Sequence, residues 1–185
     1  MVRGPAHSSA VALLFSHAPG PNTVGVCRWL HRRGLSATFF LDPRFRGPLS
    51  TISRLRPFEV GVAAPSPRRP VAAPALEAAL VLGEGRIPFQ LVPRGLRGRV
   101  PAEATTPVAP SALLRLHLPP EEWEGELEGV VRHLRGGELL LVELGETPLD
   151  DHLISRRLDQ TAEVLSQRGL KIWGLRALLR GEYEQ

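Results

Sequence analysis

The sequence predicts an α/β fold, a parallel sheet covered by helices, either open or closed into a barrel. Three observations carry this expectation. Short apolar runs alternate with stretches of helical period along the whole chain. Several of those runs, such as "AVALLF" and "ELLLVEL", read as strands buried on both faces. No internal repeat and no shift in composition divides the 185 residues, so one domain over residues 1–185 is expected, long enough to bury a real core.

The elements follow in order. Residues 10–15 form a buried strand, and "NTVGVCRWLHRRG" (22–34) a helix with Asn22 as its cap, Gly34 as its stop, and Val26 and Leu30 on one face. "SATFFL" (36–41) is the second strand, rich in aromatic and β-branched residues. A short helix over 47–56 precedes a strand over 58–63. A helix over 74–83 leads to a strand over 87–92, with further strands over 105–109 and 112–118. The stretch 119–137 opens with prolines and acidic residues, as a helix start should. Residues 138–144 are the most hydrophobic strand. Asp150 or Asp151 then caps a long helix whose stripe is Ile154, Leu158, Ala162 and Leu165. Residues 170–175 are the last strand and 176–181 a short terminal helix.

Composition narrows the function classes. Hydrophobic residues make up 43% and charged residues 23%, ordinary values for a globular chain. The net charge is +4, but the basic residues are almost all arginine, with Lys171 the single lysine, and they are scattered. No interleaving of aromatic and basic residues builds a stacking platform, so a nucleic-acid partner is not expected. One cysteine, Cys27, excludes an intrachain disulfide and a zinc cluster, and its setting reads as a buried helix position. The apolar run after Arg3 is too short for a membrane span and lacks a cleavage site of small residues. A cytoplasmic protein without a membrane partner is the expectation.

In parallel α/β folds chemistry gathers at the C-terminal ends of the strands. Here those ends carry Phe15-Ser16-His17, Asp42, Ala63-Ala64, Val92-Pro93, His117 and Glu143-Leu144. The order of these pieces resembles the polysaccharide deacetylase (NodB-homology) family. Its first strand ends T-F-D-D-G-P-x-P before a helix, a glycine and x-A-T-F-F; Phe15, Pro19, Pro21, Gly34 and Ala37-Thr38-Phe39-Phe40 stand in the matching places. "FEVGVAAPSP" is similar to the family's G-H-E-I-G-N-H-T-x-S-H, keeping Glu59, Gly61 and Ser66. "QLVPRG" sits where F-R-P-P-Y-G is expected, keeping Pro93 and Gly95, and Glu122-Trp123 echoes an acidic-Trp pair. "GGELLLVELG" resembles the strand G-x-I-I-L-L-H-D. The resemblance spans about the full length of the chain.

The resemblance implies an irregular (β/α)7 barrel that removes acetyl groups from polysaccharides. A divalent metal would be held by an Asp and two His, with a second Asp as base and a late His as acid. Such chemistry needs a Lewis acid for the acetyl carbonyl and a base for the attacking water. Carried over position by position, those groups are replaced. The base falls on Ser16 and the metal-binding Asp on His17. The two metal histidines fall on Ala63 and Pro67, the arginine on Leu91, and the tyrosine on Arg94. The late His falls on Glu143 and the Asp after it on Leu144. No catalytic residue, metal or other cofactor is therefore expected at the degenerate positions.

The ligand-binding candidates are His17, Arg94, His117, Trp123 and Glu143. His17 and Glu143 end neighbouring strands and should form a hydrogen-bonded pair. A Ser16–His17–Glu143 triad is disfavoured, because a serine followed directly by its own base rarely reaches the needed geometry and no G-x-S-x-G elbow is present. Trp123 reads either as a sugar-stacking platform or as a packing residue. Arg94 with Arg68-Arg69 could form a basic rim. Two functional readings follow. The first is an inactive deacetylase-like protein with a binding, scaffolding or regulatory role linked to carbohydrate, its partner a glycan or a protein. The alternative is a divergent hydrolase with a site rebuilt around His17, His117 and Glu143.

Overall fold

The computed structural model describes residues 8–42, 49–63, 73–83, 89–92 and 106–181. Along them run β1 (Ala10–Ala18), α1 (Thr23–Arg33), β2 (Thr38–Leu41), a 3-10 helical segment (Leu49–Leu55), β3 (Glu59–Ala63), α2 (Ala73–Leu82), β4 (Phe89–Leu91) and β5 (Thr106–Val108). They continue with β6 (Ala112–Arg115), α3 (Pro120–His133), β7 (Leu139–Glu143), α4 (Asp151–Gln167), β8 (Lys171–Trp173) and α5 (Leu175–Arg180). The predicted elements are present, most of them trimmed at their ends. Two differ in kind: the segment expected as a helix over 47–56 is a 3-10 helix, and β1 runs three residues further, through Ser16, His17 and Ala18.

Every strand pairing is parallel, in the order β5-β4-β3-β2-β1-β7-β6, with β8 also paired to β1. Ala12 has partners in both β7 and β8, so these flank opposite edges of β1, and β8 shares with β2 the edge that faces away from β7. The two ends of the seven-strand path, β5 and β6, are joined only by Ala109, Pro110 and Ser111. A flat sheet of seven strands would hold its edges about 29 Å apart. The linker reaches at most about 15 Å. The sheet therefore curls into a barrel, the (β/α)7 arrangement that the resemblance implies.

The curl splits the core in two. Along β1, Ala10, Ala12 and Leu14 belong to the barrel's interior cluster, with Phe40, Phe89, Leu91, Val108, Leu139 and Trp173. The alternate residues Val11, Leu13 and Phe15 belong to the layer between sheet and helices, with Trp29, Leu30, Val142, Ile154 and Leu158. Strict alternation on a strand buried on both faces produces this division.

Helices α1 and α4 seal the outer layer. A Cβ at Gly25 would lie 2.8 Å from both Ile154 Cδ1 and Asp151 Oδ1, so glycine permits the close approach there. Trp29 Nε1 donates to Asp159 at 2.7 Å, Arg32 donates to Ser155 at 2.8 Å, and Arg28 pairs with Asp151. Gly34 ends α1 at φ 61°, with its N–H and that of Leu35 returning to the carbonyls of His31 and Leu30. Asp150 caps α4 as predicted, accepting from the His152 N–H at 2.7 Å.

Asn22 departs from its predicted role. It occupies the cap position of α1, but its side chain makes no cap hydrogen bond. The amide instead reaches across to the loop after β7, donating to the carbonyls of Leu144 (2.7 Å) and Thr147 (2.9 Å) and accepting from the Leu149 N–H (2.7 Å). Thr23 supplies the local bond in its place, accepting from the Gly20 N–H at 2.8 Å.

Among the described residues no helix is long and apolar enough to cross a membrane.

Candidate functional site

The C-terminal ends of β1, β3, β4, β6 and β7 define the barrel mouth. The interior side of β1 continues from Leu14 to Ser16, which is 7% exposed, and that of β7 from Leu141 to Glu143. Ser16, Glu143 and Arg115 are register partners across β1, β7 and β6, so they form a polar row at one level of the sheet. Ala63 and Leu91, side by side on β3 and β4, belong to the apolar interior cluster. One wall of the mouth is polar and the other hydrocarbon.

His17 sits between these walls because the strand is broken there. Continued alternation would send its side chain toward the helices, where Phe15 points. The register of β1 against β2 shifts between Phe15 and Ala18, and His17 adopts φ 61°. Bulges re-aim side chains in this way, and the left-handed conformation costs a non-glycine residue about 1–2 kcal/mol. The re-aimed imidazole brings Nδ1 to 3.2 Å from Ser16 Oγ and 4.0 Å from Glu143 Oε1. Its side chain is 38% exposed and that of Glu143 29%. His17 and Glu143 are neighbours, but at 4.0 Å the expected hydrogen bond between them is not made.

The same geometry limits its chemistry. In a nucleophilic relay the serine and the carboxylate engage opposite nitrogens of the imidazole. Here Ser16 and Glu143 both face Nδ1, and Nε2 makes no hydrogen bond to another described residue. The cluster can bind through a hydroxyl, an imidazole and a carboxylate, but it does not form a proton relay from serine to glutamate.

A divalent metal of the kind the resemblance implies needs three protein donors. Of the matching positions, His17 offers an imidazole and Ala63 a methyl group, and position 67 lies outside the described residues. No three His, Cys, Asp or Glu side chains among the described residues are grouped to hold an ion. The residues present do not fit that metal.

His117 is at the same end of the barrel. A Cβ on Gly145, which has φ 70°, would lie 2.8 Å from its ring, so the imidazole packs on the backbone just after β7. No hydrogen bond or ion pair joins it to His17 or Glu143. The three residues named for a rebuilt site thus contain one close pair and a neighbour.

Trp123 is a packing residue, which corrects the stacking-platform expectation. It is 3% exposed; its Nε1–H donates to Gln160 at 2.8 Å, and the Arg157 guanidinium lies 5.0 Å from the ring centroid. A sugar has no open ring face to reach. Arg94, with Arg68-Arg69, lies outside the described residues, as does Pro67.

Sequence reading missed two supports of this end. Arg115 donates from its backbone N–H (2.8 Å) and its guanidinium (2.8 Å and 3.1 Å) to Glu126 of α3. Those bonds raise its pKa above the ordinary arginine value, and Glu143 adds to the shift. Arg157, 1% exposed, donates to the Leu116 carbonyl after β6. Burial, then the neighbouring Arg156, lowers its pKa. Nothing local in the "SRRLDQ" stretch of α4 signals that this arginine is buried.

Comparison with solved structures places this architecture. A mutant, with restored enzymatic activity, of a CE4 family pseudoenzyme superposes with TM-score 0.70 at 16% identity, covering 97% of this chain and 70% of that one. The wild-type pseudoenzyme, from Bacillus anthracis, gives 0.65 at 15%, covering 97% and 68%. The Bc1960 peptidoglycan N-acetylglucosamine deacetylase gives 0.68 at 16%, covering 100% and 94%. A family 4 acetyl xylan esterase from Clostridium thermocellum, in complex with a cobalt ion, gives 0.67 at 22%, covering 94% and 93%. No family model matches the sequence, and no curated protein does. At these identities the likeness is one of fold, and that fold is the barrel of the CE4 polysaccharide deacetylases.

Proposed function

We propose that this chain is a catalytically inactive counterpart of the CE4 deacetylases that acts by binding, with a carbohydrate chain as its partner. One observation carries the reading: where the resemblance places a base, a metal-binding aspartate and a metal histidine, the mouth presents Ser16, His17 and the methyl of Ala63. A serine hydroxyl cannot take a proton from water at neutral pH, and a methyl group cannot ligate. What remains suits recognition of hydroxyls: Ser16, His17 and Glu143 donate and accept beside the apolar surface of Ala63 and Leu91. Solved structures of the same fold support a glycan as partner, since they include a peptidoglycan deacetylase and an acetyl xylan esterase, and a pseudoenzyme shows that the fold is also found without activity.

A divergent hydrolase is the second reading, favoured by the Ser16–His17–Glu143 contacts and the half-exposed imidazole. The two separate in one experiment. Purified protein is incubated with N-acetylglucosamine oligomers, with and without added zinc, and both acetate release and oligomer binding by calorimetry are followed. Binding without acetate release, weakened in His17→Ala and Glu143→Ala, is the expected result. Acetate release that Glu143→Ala abolishes would overturn the proposal in favour of the hydrolase.

A further inference from the structure

Between α1 and the 3-10 segment lies an open cavity of about 330 Å³, whose lining shares no residue with the barrel mouth. That volume is at the lower end of small-molecule sites, which run from about 300 to 1,000 Å³. Val24, Cys27, Pro57 and Phe58 supply an apolar lining, and Arg28, His31 and Arg54 complete the wall. No carboxylate is among these lining residues.

The three basic side chains are not equivalent. Arg28 is committed to Asp151 of α4. His31 makes no side-chain hydrogen bond among the described residues. Arg54 forms no ion pair among them, although it is a permanently charged group beside an apolar cavity. Its field does reach inward, because it acts on the Cys27 thiol in the sense that favours the thiolate. Burial outweighs that effect and pushes the thiol up to about 11, so at neutral pH the cavity is lined by an uncharged thiol under a cationic rim.

We infer that the cavity between α1 and the 3-10 segment is a binding site for a small amphiphilic anion, an aryl or alkyl body seated on Val24, Cys27 and Phe58 with its carboxylate or equivalent group paired to Arg54. Charge complementarity selects this class: a wholly apolar guest leaves Arg54 unpaired, and a polar anion without a body leaves the lining wet. The site is independent of the carbohydrate reading of the barrel mouth and stands or falls without it.

The test uses two probes with the same body, 4-phenylbutyrate and 4-phenylbutanol, titrated into the 185-residue chain with amide chemical shifts as the readout. Phenylbutyrate is expected to shift the amides of Val24, Cys27 and Phe58. It should bind about fivefold more tightly than the alcohol, the scale of one exposed ion pair. Arg54→Gln, a surface change that leaves the core intact, is expected to bring the carboxylate down to the alcohol's affinity. Cys27 is the only thiol, so protection from N-ethylmaleimide, read by mass, reports occupancy independently. Equal affinities for the two probes, an unchanged affinity in Arg54→Gln, or alkylation of Cys27 unaffected by phenylbutyrate would each overturn the inference.

Discussion

The two ends of this barrel are built from the same strands and behave as different materials. At the N-terminal end, Glu59 accepts from the Thr38 hydroxyl at 2.7 Å and from the Arg176 backbone N–H at 3.1 Å, tying β2, β3 and α5 together. Above it Gly61 leaves room for Phe40 and the backbone of Phe89. At the C-terminal end the strands finish in Ser16, His17, Glu143, Ala63 and Leu91, and the tightest side-chain contact among the polar three is 3.2 Å. Glu59 and Gly61 keep the pattern of the deacetylase resemblance, whereas the mouth departs from it at nearly every reactive position. In parallel barrels the N-terminal end serves stability and the C-terminal end chemistry. A chain can therefore change the residues of the second while it retains those of the first, and the proposed loss of activity rests on that contrast.

The contrast is most severely tested at Gly61. A Cβ there would lie 2.6 Å from the Phe89 carbonyl oxygen and 2.7 Å from the Phe40 ring. Backbone cannot yield as a flexible side chain does, so Gly61→Ala is expected to cost about 3 kcal/mol, read as a lower urea midpoint at unchanged slope. A cost near zero would show that the interior is looser than its packing implies. The next largest effect is expected at Asn22→Leu, which strands the Leu144 and Thr147 carbonyls and the Leu149 N–H. The Leu144 carbonyl is the buried one of the three, and orphaning a buried group costs about 1–3 kcal/mol. Since the loop they anchor leads away from the mouth, oligomer binding should weaken with stability; intact binding would detach the loop from the site.

How much of this was legible in the sequence follows the same division. The alternation of strands and helices, the Gly34 stop, the Asp150 cap and the meeting of His17 with Glu143 were readable, because each depends on local chemistry or on strand order. Asn22 misled because its sequence position is that of a cap, while its amide serves a loop more than a hundred residues away. Trp123 stayed open between a stacking and a packing role for a related reason. Its place beside Glu122 evoked a groove residue, and only the packing of α3 on α4 reveals that Gln160 and Arg157 cover it. The left-handed turn at His17 has no glycine to announce it.

Cys27 on α1 offers a smaller effect with a definite sign. Its thiol is pushed up by burial from 9.0 to about 11. At pH 8 the thiolate should be roughly 100-fold scarcer than in an unfolded chain, and alkylation correspondingly slower, with the rate restored in urea. Below about pH 9 both folded and unfolded thiols are protonated; between about 9 and 11 the unfolded chain alone ionises. Stability therefore falls as pH rises through that window. The part of the fall that Cys27→Ala removes belongs to this thiol; an identical profile in the variant would place the thiol in open solvent.

The smallest effect is expected at the mouth itself. His17 holds φ 61°, which costs about 1–2 kcal/mol for a residue with a Cβ. Glycine relieves that strain but costs about 0.5–1 kcal/mol in chain entropy. His17→Gly should therefore leave stability within about 1 kcal/mol of the parent while removing the imidazole from the binding surface. His17→Val, with its branched Cβ in the left-handed region, should lose more than His17→Gly by about 1–2 kcal/mol. If the two variants unfold alike, the left-handed turn is not imposed by the strand. If His17→Gly instead destabilises as strongly as Gly61→Ala, the imidazole is a structural member of the barrel and the functional division between its ends fails.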